Sequence, residues 1–128
     1  MSRLRPTTWY CLLVTIFLTV RATTTLATGP QFSMPGTGWR AAWQLLLAAV
    51  LLAGLLRPRI ARTAVTLVAA TYLLATISEA LHPADLLGLI PVDMRDRIVH
   101  PALAIAALVC VAAEGMLADP RRITLTSR

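Results

Sequence analysis

Four long apolar runs, each closed by arginine, proline or glycine, occupy most of this 128-residue chain. Hydrocarbon offers no hydrogen-bond partner to a backbone amide, so runs of about twenty residues must satisfy their amides internally, as helices. The chain is therefore read as all-α, an integral membrane four-helix bundle forming a single membrane domain over residues 1–128.

The first run, Trp9 to Val20, follows Arg3 and Arg5 and precedes Arg21 and a threonine-rich stretch to Thr28. With Arg21 snorkelling toward the headgroups, a span over about 8–26 is long enough to cross. A secretory signal peptide fits the same residues, with Thr25-Leu26-Ala27 as its cleavage site. The retained helix is the reading taken, because Arg21 and the bulky polar residues beyond it make a poor cleavage context.

Pro30, Pro35 and the glycines of residues 29–38 break the chain before a second span at about 39–56, with Trp39 and Trp43 as interfacial anchors. Arg57, Pro58 and Arg59 end it, and a third span at about 60–78 must run antiparallel beside it after so short a connection. The patch at about 86–92 is too short to cross and contains Gly88 and Pro91, so it is placed at the interface. A last span covers about 97–117, with Asp93 as N-cap and Asp96 completing a capping box. Pro101 is expected to kink this helix or to mark where its regular part begins.

Composition agrees. Residues are 57% hydrophobic but only 5% aromatic, which leaves Leu, Ala, Val and Ile as the bulk of the spans. The net charge is +6 and every basic residue is arginine, a usage that suggests a GC-rich, actinobacterial genome. These arginines lie between apolar runs rather than along one face, which argues for topology and against nucleic-acid binding. Arg3, Arg5, Arg57, Arg59, Arg62, Arg121, Arg122 and Arg128 share one side, and the positive-inside rule puts both termini in the cytoplasm of a plasma-membrane protein. Cys11 and Cys110 sit in apolar runs without metal-like spacing, and no disulfide is expected.

Sliding the first half along the second by fifty-six residues places Pro35 on Pro91 and Gln44 on His100, so that both halves read span, loop, proline, span. Such a register describes two parallel two-helix repeats about an axis along the membrane normal.

From Tyr72, the stretch Leu86-Leu87-Gly88-Leu89-Ile90-Pro91-Val92-Asp93, then Asp96 and His100, and small residues to Gly115, resembles an uncharacterised family of short four-span actinobacterial membrane proteins. That family shows a GLxPVNxxDNxLH segment before its final helix. Asp93 stands where the family has Asn, Asp96 is its aspartate, Arg97 departs from its second Asn, and His100 is its histidine. A similar histidine in the family's first half is Gln44 here. The resemblance covers the C-terminal half and implies architecture, with no chemistry attached.

Few residues are candidates for chemistry. Glu79 and His82 share the E-x-x-H spacing of di-iron bundles, but Glu79 and Glu114 are the only glutamates and cannot complete that site in one subunit. The plainer reading makes them polar residues at a helix end. His82 and His100, near the outer ends of the third and fourth spans, could share a metal or a haem; as boundary histidines followed by proline they could equally cap or face water. Glu114, about one turn from the end of the last span, needs water, a proton or a partner, for which Arg59 or Arg62 lies at matching depth. Glu79 could likewise meet Arg21 or Arg40. Ala49 and Ala53, Thr66 and Ala70, and Ala102 and Ala106 form small-x-x-x-small pairs that support a packed bundle.

No phosphate loop, nucleophile with a paired base, or Cys/His metal spacing is visible, so no enzyme and no cofactor are expected. The expected role is a structural, accessory or interaction subunit in the lipid bilayer, as a homo-oligomer or within a larger membrane complex. A small proton-coupled transporter using Glu114, and a haem- or metal-binding redox protein using His82 and His100, are the alternatives.

Overall fold

The structure, a computed structural model, describes residues 5–118. The chain forms α1 (Pro6–Ala27), α2 (Thr37–Leu56), α3 (Ala61–Leu81) and α4 (Asp96–Ala118), with a two-stranded hairpin, β1 (Asp85–Leu86) and β2 (Ile90–Pro91), between the last two. All four helices are long and apolar enough to cross a membrane. Each stands within a few residues of its expected span, except that α3 continues past Ser78 to Leu81.

Local chemistry sets the boundaries. Pro6 opens α1, where its missing N–H costs nothing. Gly29, at φ +90°, turns the chain away after Thr28. Before α4 the expected capping box is present: the Asp96 amide donates to Asp93 Oδ1 at 2.9 Å and the Asp93 amide to Asp96 Oδ2 at 3.4 Å. Pro101 lies inside α4, and the helix passes through it.

Successive helices run antiparallel. α1 packs most extensively on α2 and α3 on α4, while α1 and α3 also meet across the centre; α2 and α4 occupy opposite corners without helix-to-helix contact. The closest pairings thus fall within each half of the chain. One end of the bundle carries the hairpin and the α1–α2 loop. The other carries the α2–α3 turn, the start of α1 and the end of α4.

The interior is built largely of small residues. Ala41, Ala48, Ala61, Ala64, Ala69, Ala104 and Ala107 are buried around Leu18, Leu51, Val65 and Val68. Small side chains let helices approach closely when lipid supplies no hydrophobic drive for association. Gly54 marks a close approach of three helices: a Cβ there would lie 3.0 Å from the Ala64 Cβ, 3.2 Å from the Ala61 Cα and 3.2 Å from Cys11 Sγ. Larger aliphatic side chains point outward, among them Leu13, Ile16, Val20, Leu46, Leu52, Leu74, Ile105 and Val109. An aqueous bundle would bury such residues; a lipid-embedded one presents them to acyl chains.

Two expectations are revised. The pairs Ala49/Ala53, Thr66/Ala70 and Ala102/Ala106 all lie on exposed faces, so other small residues make the internal contacts. The interfacial patch is a hairpin, with the Leu89 amide donating to the Leu86 carbonyl at 3.0 Å across Leu87 and Gly88, both at positive φ. Trp39 is half-buried at this end of the bundle: Phe32 packs edge-on against it at 5.6 Å, and its indole nitrogen is buried.

Candidate functional site

The charged side chains that sequence position scatters over four helices converge at the hairpin end. Asp96, in the first turn of α4, is among the most deeply buried residues, with its side chain 3% exposed. Arg21 reaches it from α1 at 3.2 Å, and Arg40 from α2 at 3.6 Å. Arg40 also pairs with Asp93 at 3.3 Å and donates to the Pro91 carbonyl at 2.6 Å. This guanidinium therefore links α2 to α4, whose backbones stay apart.

Partial burial pushes the Asp93 carboxyl upward, but the Asp96 amide and then the Arg40 guanidinium outweigh it and hold the group below its ordinary value of 3.8. Arg21, expected to snorkel, instead turns to Asp96, and its guanidinium lies 5.8 Å from the Phe17 ring centre.

Beside this cluster, Glu79 of α3 is hydrogen-bonded to His100 Nδ1 of α4, and both side chains are largely buried. The Tyr72 ring lies tilted over the imidazole, with centroids 5.2 Å apart. A carboxylate on Nδ1 fixes the orientation of the ring. The extra turn of α3 decides this pairing. It carries Glu79 into the helix interior, where it faces α4, and makes His82 the exposed C-cap. The structure thus joins Glu79 to His100 rather than to His82, Arg21 or Arg40. Among the described residues, no group of three or more His, Cys, Asp or Glu side chains is placed to hold a metal ion.

At the opposite end, Glu114 of α4 accepts a hydrogen bond from the Thr7 hydroxyl of α1 and pairs with Arg5 at 3.5 Å. The expected partners Arg59 and Arg62 are not engaged with it, although Arg62 lies against the neighbouring Gly115. Thr7 carried a signal in the sequence: a hydroxyl in the first turn of one helix stands at the depth of a carboxylate about one turn from the end of an antiparallel neighbour. Gly54 carried none, since its crowding depends on three helices at once.

A family described as a domain of unknown function, DUF4383, matches residues 24–113. The chain belongs to the DUF4383 family. The match runs from the end of α1 almost to the end of α4, which extends the resemblance beyond the C-terminal half. It takes in Arg40, Glu79, Asp93, Asp96 and His100, so most of the hairpin-end cluster lies inside the DUF4383 region, while Arg21, Thr7 and Glu114 lie outside it. No curated protein and no solved structure matches the chain.

Proposed function

We propose that this DUF4383 protein is a non-catalytic accessory subunit of the plasma membrane, with both termini cytoplasmic, that holds a fixed four-helix frame for an assembly partner. One observation carries the reading: every acidic side chain among the described residues is engaged within the chain. Asp96 takes Arg21 and Arg40, Asp93 takes Arg40, Glu79 takes His100, Glu114 takes Thr7 and Arg5, and Asp85 accepts from the Gly88 amide. A carboxylate that couples transport must exchange its proton or cation during turnover. Here the carboxylates tie helix to helix and close off the loops, which is the work of a frame.

The test is affinity purification of the tagged chain from its native membrane in lipid nanodiscs. A stoichiometric partner that survives washing, and is lost when Ala102→Leu and Ala106→Leu bulk up the exposed face of α4, is the expected result. Proton-dependent uptake into liposomes that disappears in Glu114→Gln would replace this reading with transport. A Soret band that disappears in His100→Ala would replace it with redox chemistry.

A further inference from the structure

The two ends of the bundle handle their arginines differently. At the hairpin end Arg21 and Arg40 pair with the buried Asp96 and the more exposed Asp93, Arg97 donates to the Pro83 carbonyl, and Arg95 is exposed. At the other end Arg57, Arg59 and Arg62 are all exposed within one turn and the start of α3, and none forms an ion pair among the described residues. The first turn of α3 contains no acidic residue to neutralise them.

Next to Arg62 an open, shallow apolar groove of about 440 Å³ lies on the outer face of α3, lined by Arg62, Thr63, Thr66, Leu67 and Ala70, all of that one helix. Its floor is shallow because Thr66 and Ala70 are small and stand one turn apart. Thr66 donates its hydroxyl back to the Arg62 carbonyl at 2.9 Å. Arg62 joins the two parts: it lines the mouth of the groove and its guanidinium lies over Gly115 of α4, where a Cβ would come within 3.6 Å of Nη2.

We propose that this end of the bundle is a binding site for one anionic phospholipid, with its phosphate on Arg57, Arg59 and Arg62 and one acyl chain along Thr66 and Ala70. Charge complementarity selects the headgroup and the groove selects a chain. Clustered arginines beside a span attract anionic lipid at about a fivefold preference for each cation near the surface. A free phosphate would satisfy the arginines alone and leave the groove without a role.

The purified full-length protein is incorporated into nanodiscs of mixed phosphatidylglycerol and phosphatidylcholine, released, and its retained lipids are counted by native mass spectrometry. Wild type is expected to retain phosphatidylglycerol over phosphatidylcholine. The preference falls on the order of fivefold for each arginine replaced in Arg57→Gln, Arg59→Gln and Arg62→Gln. Ala70→Phe, which fills the groove and leaves every charge in place, lowers retention as well. Excess inorganic phosphate does not displace the lipid, and Arg95→Gln at the hairpin end changes nothing.

Equal retention of the two lipids, full retention in Ala70→Phe, or displacement by inorganic phosphate would each overturn the proposal. Should the triple variant fail to insert, the exposed single change Arg59→Gln and the groove variant decide between the same outcomes.

Discussion

Asp96 is the residue on which the hairpin end depends. Its carboxylate receives arginines from two other helices while nearly excluded from solvent, and neutralising it leaves the partly buried Arg21 without a carboxylate and Arg40 with Asp93 alone. Asp96→Asn is expected to cost about 3 kcal/mol in unfolding measured in detergent micelles. Arg5→Gln should cost under about 1 kcal/mol, because the Arg5 side chain is 66% exposed. Asp93 supplies a pH dependence of known sign. Its folded value is depressed below 3.8, so its contribution is complete above that pH and lost as pH falls through the folded value. The stability gap between wild type and Asp93→Asn should therefore be constant near neutrality and close only in the acid range. A gap that closed on raising the pH would contradict the assignment. The Asp93/Asp96 capping box was legible because its partners are three residues apart. The partners of Glu79 and Glu114 were not, because sequence gives the depth of a residue along a span but not the side of the helix it faces.

Helix packing places its sharpest demand on Gly54, wedged between α1 and α3. Gly54→Val should destabilise the bundle by about 2 kcal/mol through overpacking, whereas Gly115→Ala, whose Cβ would meet Arg62 Nη2 at an ordinary contact distance of 3.6 Å, should be tolerated; thermal melts of the two variants check this. α1 is the element whose fate the sequence left open between retained span and signal peptide. In the structure it buries Tyr10, Cys11, Val14, Leu18 and Ala22 against the other helices, and its Thr7 and Arg21 tie both ends to α4. Intact mass of protein isolated from membranes is expected to include α1, and a mature N-terminus at Thr28 would contradict that. Span positions were legible because apolar runs and breakers are local signals. The hairpin was hidden because its turn places Leu87 at φ +56°, a conformation bulky residues seldom adopt, so no turn-forming pair announced it. The small-x-x-x-small pairs misled for a related reason: spacing identifies a close-packing surface without saying which neighbour it meets.

At the scale of the whole molecule, Arg21, Arg40, Asp93 and Asp96 link α1, α2 and α4 at one end, where Glu79 and His100 join α3 to α4, and Arg5, Thr7 and Glu114 link α1 to α4 at the other. The all-α class and the four crossings were legible from length and hydropathy alone, since lipid permits few other solutions. The proposed orientation has the Arg57–Arg62 turn and the Leu87 hairpin emerging on opposite faces of the membrane, the turn in the cytoplasm. Single cysteines introduced by Arg59→Cys and Leu87→Cys, probed with a membrane-impermeant maleimide on intact cells, test it directly. Leu87→Cys should label at once and Arg59→Cys only after the membrane is opened. Labelling of both positions from the same side would contradict the four-span account.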